Sequence, residues 1–296
     1  MNKKILLLLL SVFILTTNLT AQPKKKGIVP PIFGISAGTL PKGGFVYRSY
    51  VVLPQFNKMY DAKTNSMINM PQNTELKAVV FPQMIRYGIF NNLTFIANLN
   101  YLTKKLTKPT IQKKASGFGD LQLALKTNVY KKPGTIVSLV GVMMLPTGKY
   151  KNLKKDELPL GKGETSYSFV GIVNQKIGKT SNRFLLSYNF KQKKSDGIRP
   201  GPQIKGIYTG VMPISENWYF ETDLLAEYNF KDKKNGNAIP HSEQYLYQLA
   251  PGIQYHFKQW KGLYLQSAMA ITLNNKMMFG KNVEYWFGIF YKLNLF

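Results

Sequence analysis

Apolar and polar residues alternate along much of this chain, most clearly over residues 118–130. The apolar positions are Leu121, Leu123, Leu125 and Val129, and the polar positions are Asp120, Gln122, Lys126 and Asn128. Because successive side chains of a strand point to opposite faces, this spacing predicts a β-strand with one apolar and one polar face. A soluble sandwich and a membrane barrel both produce the alternation, so the pattern alone leaves both open.

Turn residues and alternation together predict twelve strands. They cover residues 43–53, 74–90, 93–102, 118–130, 135–146, 165–176, 183–190, 203–214, 218–230, 243–257, 262–273 and 282–296. The connections are alternately long and short, the long ones being 54–73, 103–117, 147–164, 191–202, 231–242 and 274–281. An outer-membrane barrel has this arrangement, with tight turns at one end and longer loops at the other. The sequence therefore predicts an all-β fold, a transmembrane antiparallel up-and-down β-barrel of about twelve strands over residues 43–296.

Strand 218–230 indicates which face meets lipid. One face has aromatic residues at both ends with smaller or aliphatic residues between them: Trp218, Phe220, Thr222, Leu224, Ala226, Tyr228 and Phe230. This is the arrangement of a lipid-facing wall with aromatic girdles. The other face carries three carboxylates, which suit a wet lumen better than the outside of a sandwich. The residues that we expect to face the lumen are Arg48, Arg86, Asp120, Lys126, Lys205, Glu221, Asp223 and Glu227.

The hairpin 203–230 has a predicted register. A three-residue turn at 215–217 places Ile214 opposite Trp218. In this register, the numbers of any two paired residues sum to 432. Lys205 then lies opposite Glu227, and we expect these two side chains to form a salt bridge. Glu221 and Asp223 would remain as a negative patch on the lumen wall.

Two other strands are less clear. Strand 135–146 is apolar on both phases, so its sequence does not determine which face looks inward. The last strand carries Tyr285, Phe287, Ile289, Tyr291, Leu293 and Leu295 on its outward phase, with Phe296 on the opposite phase. A terminal aromatic strand is typical of chains delivered to the outer-membrane assembly machinery.

The first 21 residues predict a signal peptide, because MNKK is followed by a short apolar run and by the small residue Ala21. The alternative is an uncleaved N-terminal anchor. A short basic segment at 22–42 precedes the barrel, and the sequence leaves open whether it enters the lumen. The chain has no cysteine, which excludes disulfides, thiol catalysis and lipoprotein processing.

The net charge is +26, and 36 of the 40 basic residues are lysines. Nucleic acid is a disfavoured partner, since readers of bases and phosphates favour arginine and the chain is exported. Segment 103–117 is predicted to be a basic loop with five lysines: Lys104, Lys105, Lys108, Lys113 and Lys114. Such a loop either binds lipopolysaccharide phosphates, attracts anionic solutes or is simply solvated.

Residues 117–120 read GFGD, and after two predicted strands residues 145–148 read LPTG. Together with GKGETSYSFVGIVNQKIGK at 161–179, they resemble the outer-membrane transporter family of the meta-cleavage pathway of phenol degradation. The resemblance implies a barrel for small, often hydrophobic molecules, without catalytic residues or cofactors. The rim positions that carry it are Gly117, Gly119, Pro146, Thr147 and Gly148. Glycines there permit a sharp entry into a strand, and the proline ends the next one.

Catalytic patterns are weak. Ser242 follows His241 directly, whereas an outer-membrane phospholipase needs both side chains to point the same way. GISAG at 34–38 lacks the helix of a nucleophile elbow, and no metal-ligand cluster is visible. We therefore expect a non-enzymatic channel for small, in part hydrophobic or aromatic, solutes in the bacterial outer membrane. Its expected partners are membrane lipid, lipopolysaccharide and the assembly machinery. An outer-membrane enzyme and a structural or polysaccharide-binding barrel remain the alternatives.

Overall fold

The computed structural model describes residues 30–61, 64–194, 197–260 and 262–294. Over these residues the strands are β1 (Gly44–Asp61), β2 (Ser66–Asn69), β3 (Glu75–Phe90), β4 (Leu93–Lys108), β5 (Ile111–Lys132), β6 (Thr135–Leu145), β7 (Ser166–Ile177), β8 (Thr180–Lys191), β9 (Ile198–Arg199), β10 (Gln203–Pro213), β11 (Trp218–Asn229), β12 (Lys233–Lys234), β13 (Asn237–Ala238), β14 (Gln244–His256), β15 (Leu263–Lys276) and β16 (Phe279–Asn294). The expected signal peptide at 1–21 and the terminal Phe296 lie outside the described residues.

Twelve of these strands close into one antiparallel barrel. Their order is β16-β15-β14-β11-β10-β8-β7-β6-β5-β4-β3-β1, and β16 also pairs with β1 to complete the ring. The closing ladder runs from Gly44 opposite Asn294 to Met59 opposite Phe279. Each barrel strand therefore pairs with two neighbours, as a lipid environment requires. The predicted twelve-stranded up-and-down barrel is confirmed.

The shorter strands lie at one end of the barrel. This end is called the loop end because the longer connections lie there. Strand β2 pairs with the end of β1, and β9, β12 and β13 form a small separate sheet. The opposite end, with the tight connections, is called the short-turn end. None of the described residues forms a helix long and apolar enough to cross a membrane.

Two connections that the sequence predicted to be long loops are tight turns instead. Strand β4 continues to Lys108 and β5 starts at Ile111, with Lys105 paired opposite Lys114. Strand β15 likewise ends at Lys276, and only two residues separate it from β16. Sequence alternation fades in these segments because strands that rise beyond the lipid have water on both faces, while their ladder hydrogen bonds continue. The predicted basic loop at 103–117 is therefore wrong, and its five lysines lie on strands.

The register of the hairpin formed by β10 and β11 agrees with the sequence. Lys205 pairs with Glu227 and Met212 pairs with Phe220, so each pair sums to 432. Outward side chains such as Leu224 are exposed at the barrel surface, whereas Glu221 is 0% exposed. A slip of one residue would turn a carboxylate toward lipid, which explains why this pairing is well fixed.

The sequence left open which face of β6 points into the lumen, and the barrel defines it. Ser138 and Val140 are buried inside, while Leu139 is exposed at the outer surface. The inward residues contribute to an apolar cluster together with residues of β4, β5, β7, β8 and β10. Its buried members are Ala37, Ile96, Ala124, Val140, Val170, Ile172, Leu185 and Ile207. Ala37 is the one buried member that does not lie on a strand, since it precedes β1.

Candidate functional site

The interior of the barrel holds the segment before β1. Residues 30–42, named the strap, wind round the inside of the wall. Taken from residue 40 back to residue 30, the strap's hydrogen-bond partners lie in turn on β4, β5, β6, β7, β8, β11 and β15. Arg48 of β1 is a further partner, at Gly34. Residues 30–41 carry no charged side chain and contain three prolines and two glycines, which suits irregular backbone in a buried position.

The strap enters the barrel at the short-turn end, beside β3 and β4. Gly43 donates its N–H to the carbonyl of Gly88 at 2.9 Å, and Lys42 donates to the Asn91 side chain at 3.0 Å. A Cβ at Gly88 would collide with the backbone of Pro41. Gly88 therefore gives the strap room to turn inward without spreading the strands.

Side chains of the wall satisfy the carbonyl groups of the strap. Arg48 donates to the carbonyl of Gly34 at 2.6 Å, and Arg183 donates to that of Phe33 at 2.6 Å. The Lys126 ammonium donates to the carbonyls of Ser36, at 3.1 Å, and of Gly38. The remaining carbonyl contacts are Ser138 to Ala37 and Gln266 to Pro30. Buried irregular backbone needs such partners, because it lacks the hydrogen bonds of a ladder.

The N–H groups of the strap likewise donate hydrogen bonds to side chains of the wall. Ile32 donates to the Glu221 carboxylate at 2.7 Å, and Leu40 donates to Thr94 Oγ1 at 2.8 Å. Ala37 donates to the Asn174 side chain at 3.4 Å. Because partners on opposite parts of the ring hold one segment, the strap and the wall form a single packed layer across the barrel.

Apolar contacts fix the strap at two places. Ala37 packs in the cluster of β4 to β10 described above, beside Val140 and Ile172. Ile32 and Phe33 pack in a second cluster on the far side, where the Phe33 ring lies 4.7 Å from the Trp286 ring. Two apolar clusters therefore lie among the polar contacts of the strap at this depth, which a channel filled only with water would not need.

Several residues that the sequence assigned to the lumen meet in this layer: Arg48, Arg86, Lys126, Glu221 and Asp223 are all buried. Arg183, which the sequence analysis did not assign, is buried with them. Arg183 lies 3.4 Å from Asp223, and Thr209 donates to the same carboxylate. Gln254 donates to Glu221. The expected open negative patch is therefore wrong, because the strap and these donors cover both carboxylates.

Arg86 and Arg183 each have buried side-chain nitrogen atoms without a hydrogen-bond partner among the described residues. Arg86 Nε donates to the Met84 sulfur at 3.2 Å, and its Nη2 is the atom that lacks a partner among those residues. Four cations and two carboxylates give this layer a formal charge of +2. At the depth of the strap, the interior thus favours neutral or anionic groups over cations.

The expected salt bridge between Lys205 and Glu227 is absent among the described residues. The two residues are paired in register, but the Glu227 carboxylate accepts a hydrogen bond from Gln203 at 2.7 Å and one from Asn229 at 3.3 Å. Amide donors next to Glu227 therefore replace the more distant lysine, whose long side chain would lose rotamer freedom in a wet lumen.

The rim motif has a structural role that links three separate pieces of sequence. Asp120 lies at a break in the register between β4 and β5, where a β-bulge re-aims side chains. Its carboxylate accepts the N–H of Gly148 at 3.1 Å and that of Lys162 at 2.8 Å. Thr147 donates to the carbonyl of Gly119 at 3.1 Å and accepts the N–H of Leu121 at 2.9 Å. The motif thus anchors the connection 146–165 on β5.

Glycines let these backbones come together. A Cβ at Gly148 would lie 2.7 Å from the nitrogen of Gly161, and one at Gly161 would collide with the Asp120 carboxylate. Gly117 and Gly119 lie inside β5, so the sequence prediction that they mark a loop-to-strand entry is wrong. The resemblance at 117–148 therefore reflects close backbone packing between β5 and the loop.

The same loop is held at its tip by charge. The Lys149 ammonium contacts both Glu157 oxygens at 2.7 Å, and this hydrogen bond lowers the pKa of the Glu157 carboxyl. Lys104, one of the five lysines on β4 and β5, donates to the carbonyl of Pro159 at 3.1 Å. The extended β4–β5 hairpin therefore serves as a support for loop 146–165.

The residues considered for catalysis have other roles. Ser242 accepts the N–H of Asp232 at 2.9 Å and donates to the carbonyl of Ile239 at 2.8 Å, which makes it a turn residue. His241 has a positive φ of 58° in the same turn. In the part of the chain that the structure describes, no three His, Asp or Glu side chains form a group that could hold a metal ion.

Sequence analysis left open whether segment 22–42 enters the lumen, and it did not identify residues 30–42 as the strap. Its strongest signal was the absence of charge over 30–41, between the lysines at 24–26 and Lys42. Its wall partners Asn174, Ser138 and Gln266 gave no signal, because a lone polar residue on an inward phase is expected in any wet barrel.

Comparison with known proteins agrees with this architecture. The structure is similar to that of an outer membrane channel from Pseudomonas putida F1, with a TM-score of 0.71 and 13% identity over 87% of this chain and 98% of that one. The toluene transporter of Ralstonia pickettii has a TM-score of 0.46 and 9% identity over 86% of this chain and 91% of that one. No curated protein matches the sequence. The family described as "Putative MetA-pathway of phenol degradation" matches residues 37–280, more than half of the chain, and the protein belongs to it.

Proposed function

We propose that the protein is a channel of the bacterial outer membrane for small hydrophobic or aromatic solutes, exported with a signal peptide that is cleaved after Ala21. The observation that carries the proposal is the combination of a closed barrel with an apolar cluster on one side of its lumen. Membership of a family named for phenol degradation and the likeness to an outer membrane channel support it. The turn role of Ser242 favours a channel over a phospholipase.

The strap is the gate in this proposal. It lies across the lumen at the depth where Ala37 and Ile32 are fully buried, so solute passes when the strap moves. The uncharged residues 30–41 of the strap and the net positive layer around them select against small cations. The short-turn end faces the periplasm, as in other barrels of this kind.

A reversible tether tests this function. Thr39 Oγ1 lies 2.8 Å from Asn128 Nδ2, and the chain has no cysteine of its own, so Thr39→Cys with Asn128→Cys links strap and wall. We expect conductance steps in planar bilayers and uptake of phenol by vesicles for the parent chain, loss of both in the oxidised double variant and recovery after reduction. The two single-cysteine variants are the controls.

Two results would contradict the proposal. A parent chain that neither conducts nor passes phenol is not a channel for such solutes. Equal transport by the oxidised and reduced double variants would show that the strap is not the gate.

A further inference from the structure

Three lysines, named the lysine row, lie side by side on the outer face of the barrel at the loop end of β3, β4 and β5. Lys77 pairs with Lys105 in one ladder, and Lys105 pairs with Lys114 in the next. All three side chains are exposed, whereas the neighbouring Leu106 and Ala115 are buried inside. Because side chains of a strand alternate faces, the three ammonium groups point away from the lumen.

Two further rows in the same register lie between the lysine row and the middle of the wall. The first contains Val79, Thr103 and Ser116, and the second, named the aromatic row, contains Phe81, Tyr101 and Phe118. Neighbouring ring centroids of the aromatic row are 6.3 Å and 5.4 Å apart. The Tyr101 hydroxyl lies 3.0 Å from Ser116 Oγ, which is on the side of the lysines. Outward aromatic residues with a polar tip of this kind mark the interface between hydrocarbon and headgroups.

The spacing of the rows places the lysines among lipid headgroups. Lys105 follows Tyr101 by four residues on β4, which corresponds to about 13 Å along the strand and about 10 Å of height at the usual tilt. This height is above the hydrocarbon, and long lysine side chains extend their charge toward an interface. The loop end is the extracellular end in the proposed orientation, so these headgroups belong to the outer leaflet.

Little on this face neutralises the lysine row. Glu75 contacts Lys77 at 3.0 Å, but both side chains are largely exposed, so the pair contributes little. Lys105 and Lys114 form no salt bridge among the described residues. Glu157 forms a backbone bridge with Lys114, yet its carboxylate is held by Lys149. Like charges directly opposite each other destabilise a ladder, so an anionic partner would stabilise the row.

The backbone that carries the row is held on both sides. Lys77 lies between β1 and β4, and Lys105 lies between β3 and β5. The Lys114 N–H donates to the carbonyl of Asp156 at 2.8 Å, and the Leu158 N–H donates to the carbonyl of Lys114 at 3.1 Å. With neighbouring strands about 4.8 Å apart, the row presents three charges over about 10 Å. These charges therefore stand at fixed positions and not on a loose loop.

We infer that the lysine row binds phosphate groups of lipopolysaccharide, the glycolipid of the outer leaflet. Anionic solutes on the way to the lumen do not pass the row, because it lies on the lipid side of the wall. Lysine binds phosphate as a compact point charge, and a lipid phosphate beside the barrel lies at the height of the row. The inference rests on the proposed outer-membrane orientation and is independent of the strap.

Titration of the purified full chain in detergent with lipopolysaccharide tests the inference. The test variant combines Lys77→Gln, Lys105→Gln and Lys114→Gln, and the matched control combines Lys231→Gln, Lys233→Gln and Lys234→Gln, all at exposed positions of the loop end. We expect the test variant to bind about a hundredfold more weakly than the parent, since each lysine near an anionic lipid surface contributes about fivefold. The control should bind like the parent. Arginine at the three test positions keeps the charge and should keep binding.

A second probe, lipopolysaccharide treated with phosphatase, should bind the parent as weakly as the intact glycolipid binds the test variant. Absence of binding by the parent, equal binding of both probes by the parent, or equal losses in test and control variants overturns the inference. The comparison of the two probes uses the parent alone, so it decides the matter even if the test variant does not fold. The titration requires no transport, so a failure of the proposed channel function and a failure of this inference give different results.

Discussion

Asp120 and Lys162 are 42 residues apart in sequence, yet the Asp120 carboxylate accepts the backbone N–H of Lys162 at 2.8 Å. The same carboxylate accepts the N–H of Gly148, so one side chain holds both ends of a twenty-residue connection. Hydrogen bonds to a charged acceptor are among the stronger ones in proteins. Asp120 therefore holds loop 146–165 to the barrel rim near both of its ends.

Asp120→Ala is expected to release this loop while the barrel stays closed, because both charged hydrogen bonds are lost and the ladders are not. Loss of even one such bond corresponds to about a tenfold increase in local opening. Limited trypsin digestion measures it, since the loop contains several lysines. Asp156→Asn, at an exposed position of the same loop, is the control. Unchanged cleavage within 146–165 would contradict the anchoring role.

Gly161→Ala is expected to open the same loop, because the new Cβ meets the Asp120 carboxylate and the backbone of Gly148. Gly141→Ala is the matched control, as a Cβ there has no heavy atom within 4 Å. Hydrogen exchange of the 146–165 amides should rise in the first variant and stay unchanged in the second. Equal exchange in both would mean that the backbones have room to separate.

Neighbouring positions on β8 are expected to respond differently to charge. Leu186 is 63% exposed on the outer surface, whereas Ser187 points inward and donates to the carbonyl of Lys205. Leu186→Arg should lower the free energy of unfolding by about 2–4 kcal/mol near the bilayer midplane. Ser187→Arg should have a smaller effect, because its charge stays in water. Urea unfolding in lipid vesicles compares the two, and equal losses would contradict the assignment of faces.

Arg183→Met is expected to destabilise the barrel by about 3–5 kcal/mol, because it leaves the Asp223 carboxylate buried without its cation. The carbonyl of Phe33 loses its donor in the same variant. Adding Asp223→Leu should recover much of the stability, since a buried ion pair is often replaceable by apolar residues. Denaturant unfolding of the single and double variants gives the answer. A double variant no more stable than Arg183→Met would show that the strap contact, not the ion pair, carries the effect.

Much of the wall is predictable from sequence, and the hairpin of β10 and β11 shows why. Lipid imposes one rule on every outward position, so Trp218 and Leu224 have to alternate with polar residues and a shift of one residue is costly. Strand β6 escapes this rule because its inward residues pack against other apolar groups, and its two faces are chemically alike. Only the neighbouring strands decide which face of β6 points inward.

The sequence by itself determined the number of barrel strands, their alternation and the register of the β10–β11 hairpin, because these follow from local periodicity and from a uniform lipid boundary. Tertiary structure decided where the uncharged segment before β1 goes, and it covered Glu221 and Asp223 that would otherwise line open water. It also decided that Lys104 and Lys114 lie on strands and that Asp120 holds a distant loop. These features depend on contacts between residues far apart in sequence. The position of a carboxylate in the sequence does not reveal whether its partner is water, an arginine or a backbone N–H.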